Sequence, residues 1–277
     1  MSNQGRPNSR SWLSAARSVF WRLPALLAVT FLILPLLAIF LKVLPQSHLW
    51  HTLREPFVTQ ALRTSLLTSL SSLALTVIFG TPLAYTLARR RGPGTTLFDT
   101  LLDLPMVLPP TVAGVALLMT FGRRGLLGPW LDAMGIQVVF TMAAVVVAQC
   151  FVSMPLYVRS AQAGFRGVDP ELERVAYTLG YSATRTFLRV TVPLAFPGLL
   201  SGAVMAWARA LGEFGATIMF AGNLTGRTQT MPLAIYVAME SDLTTALVLA
   251  TLLIVVPFGC LFATRFFARR RSDGAHA

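Results

Sequence analysis

Apolar residues along this chain fall into six long runs that are separated by polar segments. A helix that crosses the apolar core of a bilayer needs about 20 such residues, and most of the runs reach that length. The runs cover Leu23–Leu44, Ser65–Leu87, Met106–Phe121, Val138–Val158, Leu194–Phe220 and Thr244–Phe267. The pattern therefore predicts an all-α, polytopic membrane protein with six transmembrane helices. A further apolar run, Met231–Met239, is too short to span and predicts a re-entrant or surface helix.

The same pattern divides the chain into four segments. We expect a loose polar N-terminal tail, a first transmembrane helix with its outer loop, a helical core that contains one long polar loop, and a basic C-terminal tail. In that order the segments are residues 1–22, 23–61, 62–267 with the loop at 159–193, and 268–277. The first apolar run follows basic residues, as in a signal peptide. It is long, however, and no small-residue cleavage site follows it, so we expect an uncleaved span.

Composition excludes a soluble domain. Of the 277 residues, 55% are hydrophobic and only 12% are charged, and the mean hydropathy is +0.65. The net charge of +12 comes almost wholly from arginine, because Lys42 is the only lysine. These arginines flank the apolar runs and form no single patch. They indicate contact with anionic lipid headgroups and argue against a nucleic-acid partner.

The distribution of basic residues predicts the orientation of the chain. With six spans both termini lie on one side, together with the loops after the second and fourth runs. That side carries Arg6, Arg10, Arg17, Arg22, Arg89, Arg90, Arg91, Arg159, Arg166, Arg174, Arg185, Arg189, Arg265, Arg269, Arg270 and Arg271. The other side carries Lys42, Arg54, Arg63, Arg123, Arg124 and Arg227. Basic residues are enriched in cytoplasmic loops, so we expect both termini and the loop at 159–193 in the cytoplasm.

Within that loop, the stretch Asp169–Pro197 predicts two short helices with a bend between them. Asp169 is a good helix cap, Pro170 suits a first helical position, and acidic residues follow in the first turn. Leu172, Val175, Ala176 and Leu179 recur at helical spacing, which predicts one apolar face. Gly180 is the residue expected just past a helix end. Ser182 is a candidate cap for a second helix that Pro193 would interrupt.

This stretch resembles the EAA loop of permease subunits in ATP-driven ABC importers, which carries a Glu, small residues, a Leu-Gly pair and a later proline. The matching residues, with the acidic residues that precede them, are Glu171, Glu173, Ala176, Leu179, Gly180 and Pro193. Arg174 occupies the family's usual Glu position and Val175 that of the first Ala, so Glu173 is the substitute. The resemblance implies that the loop, hereafter the coupling loop, docks on a cytoplasmic ATPase subunit. It also implies a type I ABC importer permease-like fold.

The chain lacks the residues of several catalytic and metal sites. No Gly-x-x-x-x-Gly-Lys-Ser/Thr loop surrounds Lys42, so this chain is not a conventional P-loop ATPase, and any ATP and Mg²⁺ would be bound by a partner. Gly-x-Ser-x-Gly is also missing. Cys150 and Cys260 lie in separate apolar runs, which favours buried free thiols over metal ligands. Asp99 and Asp103 share a helix face, and a solvated face at the membrane surface explains them better than a metal site. We expect no cofactor in this chain.

Two ionisable residues lie inside the fifth run. Arg209 and Glu213 are four residues apart and share a helix face, so they are able to pair. Ionisable groups inside a span are costly and mark functional sites by default. Small residues surround them, and we predict that Arg209, Gly212, Glu213 and Thr217 belong to a translocation path or gate. The alternative is an ion pair that only positions the helix.

Five further motifs resemble the molybdate permeases of ABC importers. They are Leu108-Pro-Pro-Thr111, Gly122-Arg-Arg-Gly125, Leu211-Gly-Glu-Phe-Gly-Ala-Thr217, Ala221-Gly-Asn223 and Gly226-Arg-Thr-Gln-Thr230. The resemblance runs from about Leu62 to Phe262. It implies a multi-pass permease of the bacterial cytoplasmic membrane that works as a homodimer with an ATPase and an extracytoplasmic molybdate-binding protein.

Three alternatives stay open at this point. Sulfate or thiosulfate permeases share the Gly-Glu and Ala-Gly-Asn patterns, and tungstate is a second possible anion. An ion-coupled secondary transporter would need an ion site at unwound helices in mid-membrane, whereas this sequence offers a docking loop and few acidic residues in its spans. A membrane-embedded enzyme would need a nucleophile or a metal cluster, neither of which the sequence displays.

Overall fold

The computed structural model describes residues 9–45, 49–90 and 92–273, and within these ranges the ordered elements are helices. Predicted parts that fall on residues 1–8 and 274–277 lie outside them. The first helices are α1 (Ser9–Val43), α2 (Leu49–Arg54), α3 (Pro56–Arg89), α4 (Pro93–Val107), α5 (Pro110–Phe121), α6 (Gly128–Ala133) and α7 (Met142–Arg166). Next come α8 (Pro170–Thr178), α9 (Ala183–Thr186), α10 (Val192–Leu211), α11 (Gly215–Phe220), α12 (Met231–Ser241) and α13 (Leu243–Asp273).

The helices confirm the all-α prediction and refine the count of spans. Within the residues that the structure describes, five helical stretches are long and apolar enough to cross a membrane: Arg22–Val43, Pro56–Arg89, Met142–Arg166, Ala183–Leu211 and Leu243–Cys260. The predicted third span is not a straight helix. Leu97–Val107 and Pro110–Phe121 meet at a bend of 114°, and they make a sixth span only if the bent pair counts as one. Pro109 and Pro110 explain the bend, because a proline cannot continue a helical hydrogen-bond ladder.

The chain divides into two compact units, residues 1–49 and 50–277. The first unit consists mainly of α1. This helix begins at Ser9, so the part of the predicted loose tail that the structure describes is helical and continuous with the first span. At the other end, α13 continues through Asp273 into the predicted C-terminal tail.

In the second unit α7 lies between α3 and α10, and glycines allow the close approach of α7 and α10. A Cβ on Gly198 would lie 2.7 Å from the Cα of Gly164, and one on Gly202 would lie 2.8 Å from the Cβ of Ser160. Ser160 Oγ also donates a hydrogen bond to the carbonyl of Gly198 over 2.9 Å. Backbones that approach this closely gain many dispersion contacts, which drive helix association where lipid surrounds the protein.

Several Ser and Thr hydroxyls of α3 bond to carbonyls of their own helix or to neighbouring elements, whereas the buried hydroxyls of Ser72 and Thr76 have no partner among the described residues. Thr68 Oγ1 donates to the carbonyl of Thr64 over 2.8 Å. Trp207 of α10 donates its indole N–H to Ser69 Oγ over 3.1 Å, and the backbone N–H of Met231 donates to Ser65 Oγ over 2.7 Å. The hydroxyls therefore satisfy buried donors and attach α10 and α12 to α3.

The short apolar run near the C-terminus forms α12, which packs against α3 and α13. Met231 and Ala234 share a buried cluster with Val58 of α3 and Leu249 of α13. Asp242 separates α12 from α13 and caps the latter, accepting hydrogen bonds from Thr244 and Thr245. The side-chain bond from Thr245 is the main cause that lowers the pKa of the Asp242 carboxyl.

Candidate functional site

The coupling loop is shorter than predicted, because α7 continues to Arg166. The predicted pair of short helices, α8 and α9, comes directly after it. Asp169 Oδ1 caps α8 by accepting the N–H of Glu171 over 2.9 Å. Gly180 adopts a positive φ of 78° in the turn after α8, a conformation that L-residues other than Gly rarely take. Ser182 caps α9 through its bond from the N–H of Arg185.

Glu173 faces the inside of the protein and connects three helical segments. Its side chain is only 10% exposed, and Nη2 of Arg89 lies 2.6 Å from Oε1. The same carboxylate accepts hydrogen bonds from the hydroxyls of Thr191 over 2.8 Å and Tyr85 over 3.3 Å. Arg89 also donates to the carbonyl of Val168 over 3.1 Å. A charge with this many partners holds α8 firmly on the end of α3.

The outer face of α8 is apolar and uncovered. Leu172, Val175 and Leu179 are exposed, and Leu179 is 73% exposed. Ala176, which the helical spacing groups with them, is buried against the protein instead. Arg174 and Glu171 pair with each other on the surface. The helix therefore turns a small residue and Glu173 inward and presents three large apolar side chains outward.

The predicted break at Pro193 is wrong. Ala183–Leu211 is one continuous helical stretch of 29 residues. Directly before the proline, Phe187–Thr191 forms a π-helical turn, in which the N–H of Val192 donates to the carbonyl of Phe187 five residues back. A proline ring clashes with the carbonyl four residues before it and offers no N–H. The wider π turn accommodates both problems, and it also places Thr191 on Glu173.

Arg209 and Glu213 pair as predicted, at a helix break that was not predicted. Arg209 Nη1 lies 2.6 Å from Glu213 Oε2. The helix ends at Leu211, and Glu213 Oε1 accepts the N–H of Ala216 over 2.8 Å at the start of α11. A side chain that takes a backbone N–H in this way replaces the helical hydrogen bond at that position. The predicted fifth span Leu194–Phe220 is therefore two helices.

The surroundings of this pair bring two of the sequence motifs together. A Cβ on Gly215 would lie 2.5 Å from the Cβ of Pro110, so the Leu211–Thr217 motif packs directly on the Leu108–Thr111 motif. Arg209 lines a cleft of about 270 Å³ at the bend between α4 and α5. Of the other predicted path residues, Gly212 is exposed and Thr217 is completely buried.

The cleft lies at the middle of the bundle. Its wall includes Val152 and Leu156, which occupy the centre of α7, with Pro105 and Pro110 from the bend. Arg209 contributes the one charged side chain among the cleft's lining residues. The sequence-predicted residues thus form two groups, one at the coupling loop and one around the break between α10 and α11, and of the second group Arg209 lines the cleft. Helix α10, about 30 Å long, connects them.

Sequence reasoning missed two arginines that organise these groups. Arg89 has the sequence context of a basic turn, although it holds Glu173. Asp99 and Asp103 are partly exposed, as a solvated face would be, but both also bind Arg159 of α7, which the helical spacing did not predict. A pair of acidic residues one turn apart and a distant arginine are compatible with many arrangements. The partners lie 56 and 60 residues apart in the chain, so helical spacing gave no signal for them.

Comparison with known proteins identifies the family. The family of binding-protein-dependent transport system inner membrane components matches residues 77–272. The chain belongs to this family. The chain is similar to the molybdenum transport system permease protein ModB of Mycobacterium tuberculosis (strain ATCC 25618 / H37Rv), which is 45% identical over 234 residues, 84% of this chain and 88% of that protein.

Two further proteins have lower sequence identity to this chain. The sulfate transport system permease protein CysT of Escherichia coli (strain K12) is 35% identical over 235 residues, 84% of this chain and 85% of that protein. In the crystal structure of a bacterial alginate ABC transporter in complex with an alginate pentasaccharide-bound periplasmic protein, one chain superimposes with a TM-score of 0.69 at 15% identity, covering 94% of this chain and 95% of that one. This likeness shows that the fold is that of ABC importer permeases.

Proposed function

We propose that this chain is the permease subunit of an ATP-driven importer that carries molybdate across the bacterial cytoplasmic membrane. The observation that carries the proposal is the 45% identity to a molybdenum permease over 84% of the chain, against 35% for a sulfate permease over the same share. The motifs at Leu108–Thr111 and Leu211–Thr217, which resemble molybdate permeases, pack on each other beside the cleft.

A cytoplasmic ATPase subunit binds the exposed apolar face of α8. Leu172, Val175 and Leu179 offer large side chains that this chain leaves uncovered, and large exposed apolar surfaces in a loop mark protein contacts. This chain translocates and does not hydrolyse ATP. The partner binds ATP and Mg²⁺, and no cofactor belongs to this subunit. When the ATPase moves α8, Glu173 passes the displacement to α3 through Arg89 and to α10 through Thr191.

Two copies of the chain form a symmetric path, since homo-oligomers with a two-fold axis are the commonest assemblies. An extracytoplasmic binding protein delivers the anion on the side with few basic residues. Both termini and the coupling loop then lie in the cytoplasm. Arg209 and Glu213 form the gate: the pair stabilises the closed path and leaves Arg209 only partly free to attract an anion. A tight anion site there would slow release.

Uptake into proteoliposomes tests the substrate. The chain, its ATPase and its binding protein are reconstituted, and labelled molybdate uptake is measured with and without ATP. We expect ATP-dependent uptake that excess sulfate leaves nearly unchanged. ATP-dependent uptake of sulfate that molybdate fails to inhibit would contradict the proposal.

The second candidate is a sulfate permease. A probable sulfate transport system permease protein cysT of Chlorokybus atmophyticus is 33% identical over 271 residues, 96% of this chain and 95% of that protein. Molybdate, tungstate and sulfate are all tetrahedral dianions, so the competition assay includes tungstate as a third anion. Equal inhibition by tungstate and molybdate would assign both anions to the transporter.

Leu179→Asp tests the docking face. Burying a leucine contributes about 1.5–3 kcal/mol, and about 1.4 kcal/mol corresponds to tenfold in affinity. We therefore expect the variant to bind the ATPase at least about tenfold more weakly. Arg174→Ala is the control, because it removes an exposed ion pair on the same helix without touching the apolar face. Equal ATPase affinity for Leu179→Asp and the wild type would place the ATPase elsewhere.

A further inference from the structure

Arg159 makes the densest set of polar contacts between α4 and α7. Nε and Nη2 donate to the two oxygens of Asp103 over 2.8 and 2.6 Å. Nη1 donates to Asp99 Oδ1 over 2.7 Å and to Gln162 Oε1 over 3.1 Å. Nη2 also donates to the carbonyl of Asp99 over 2.7 Å. The guanidinium thus makes a bidentate contact with Asp103 and also binds the α4 backbone at Asp99. This geometry fixes the orientation of α4 relative to α7 as well as the distance between them.

Elsewhere α4 is loosely packed. A cavity of about 390 Å³ with an apolar lining lies between α4, α3 and α7. Its wall includes Leu101 and Pro105 of α4 and Cys150 of α7. Leu97, Phe98 and Leu104 are exposed on the outside of the same helix. A helix with a gap beneath it and few buried side chains is free to move once its polar attachment is released.

Helix α4 is bound to α7 through its middle and C-terminal half, at Asp99 and Asp103. Arg159 lies two turns before the end of α7 at the coupling loop, next to Ser160, which binds the carbonyl of Gly198 in α10. Shortly after Asp103, α4 meets α5 at the 114° bend. The cleft with Arg209 lies at this bend and is lined by Pro105, Met106 and Leu108.

We propose that Arg159 is a positioning residue. Through it, a movement of the coupling loop is transmitted to α4 and to the bend between α4 and α5. Asp99 and Asp103 hold α4 to α7. A shift of α7 and α10 therefore moves α4 and changes the shape of the cleft beside Arg209. The side chains of Arg159 and Asp103 are 33% and 44% exposed, and the bidentate contact between them fixes the orientation of α4 as well as its distance from α7. The inference rests on the proposed function of the coupling loop.

The native thiol of Cys150 reports the position of α4, because it lines the cavity beneath that helix. In a Cys260→Ser background, the rate of Cys150 labelling by N-ethylmaleimide is measured for the assembled transporter, with and without a non-hydrolysable ATP analogue. Molybdate uptake per ATP hydrolysed is measured in parallel. For Arg159→Gln we expect labelling to rise about tenfold and uptake per ATP to fall about tenfold, the change that removal of about 1.4 kcal/mol produces.

Graded substitutions in the Arg159 cluster distinguish the effect of the guanidinium geometry from the effect of its charge. Arg159→Lys keeps the charge but not the planar fork, so it should lie between Arg159→Gln and the wild type. Asp103→Asn should have a larger effect than Asp99→Asn, because Asp103 takes two side-chain bonds. Arg63→Gln is the control, since Arg63 is an exposed arginine of α3 outside this cluster, and it should behave as wild type.

Wild-type labelling and wild-type uptake per ATP in Arg159→Gln would overturn the proposal. If that variant fails to insert, the same result in Asp103→Asn would overturn it. Failure of the proposed function looks different: the wild-type assembly then takes up no molybdate. Cys150 labelling of the isolated full chain, with and without Arg159→Gln, still decides whether Arg159 holds α4 against α7.

Discussion

Glu213 binds the side chain of Arg209 with one carboxylate oxygen and the backbone of Ala216 with the other. The two distances are 2.6 and 2.8 Å. The side chain of Glu213 is 1% exposed, whereas that of Arg209 is 34% exposed. The carboxylate is therefore immobilised across the break between α10 and α11, and the guanidinium keeps a free side toward the cleft.

Glu213→Gln should raise basal ATP hydrolysis and leave anion selectivity unchanged. The amide oxygen of glutamine still accepts the N–H of Ala216, but the charge that neutralises Arg209 is gone. A pair that favours the closed state by about 1.4 kcal/mol changes the ratio of closed to open states about tenfold when it is lost. Basal hydrolysis by the reconstituted transporter measures that ratio.

Glu240→Gln is the matched control, because Glu240 is an exposed glutamate on α12. It should leave basal hydrolysis at the wild-type level. Normal basal hydrolysis in Glu213→Gln together with a changed preference between molybdate and sulfate would make the pair a selectivity site instead of a gate.

Substitutions of Gly180 should distinguish the effect of backbone strain on uptake from the effect of a side chain that blocks docking of the ATPase. The residue has a φ of 78°, and nothing lies within 4 Å of the position that a Cβ would take. Asparagine tolerates this conformation, and alanine should cost about 1–2 kcal/mol. Leucine adds the same strain and a bulky group beside the docking face. We expect uptake to fall in the order Asn, Ala, Leu while membrane insertion stays normal. Wild-type uptake by Gly180→Leu would remove this turn from the ATPase contact.

Cysteine labelling should place α12 on the outer side. Tyr236 is half exposed on α12, so Tyr236→Cys in a chain without Cys150 and Cys260 should react with a membrane-impermeant maleimide added from outside. Leu233→Cys provides a buried control that should stay unlabelled. Leu179→Cys should react only from the cytoplasmic side. The reverse pattern would invert the orientation derived from the basic residues.

Gly198→Ala should destabilise the bundle, and Gly259→Ala should not. The first substitution drives a methyl group into the backbone of α7 at Gly164, 2.7 Å away. Such overpacking costs about 1–3 kcal/mol. At Gly259 nothing lies within 4 Å, and alanine in a helix is favoured over glycine by about 0.5–1 kcal/mol. Thermal unfolding in detergent compares the two variants. Equal melting temperatures would show that α7 and α10 separate easily.

Local signals made the coupling loop predictable. A cap side chain, a proline at the first helical position and a glycine beyond the last act over a few residues, so Asp169, Ser182 and Gly180 were placed correctly from the sequence. Apolar runs likewise predicted most of the spans, because the length of a membrane helix is set by the bilayer.

Helix breaks and distant partners could not be predicted in this way. Pro193 has the local signature of a break, yet the π turn before it absorbs the missing hydrogen bond. Glu213 has the signature of a helical residue, yet it takes a backbone N–H and starts a new helix. Both outcomes depend on tertiary neighbours. The burial of Glu173 likewise depends on Arg89, which is 84 residues away in the chain.

The π turn at Phe187–Thr191 keeps the helix from Ala183 to Leu211 unbroken, and an unbroken helix is able to transmit a mechanical displacement along its length. At 29 residues and about 1.5 Å per residue, this helix is about 43 Å long. A rigid rod of that length that tilts by about 5° at one end moves its other end by about 4 Å. That displacement is larger than a hydrogen bond is long. A hinge at Pro193 would dissipate such a tilt, whereas a continuous helix would carry it to Arg209, as the proposed function requires.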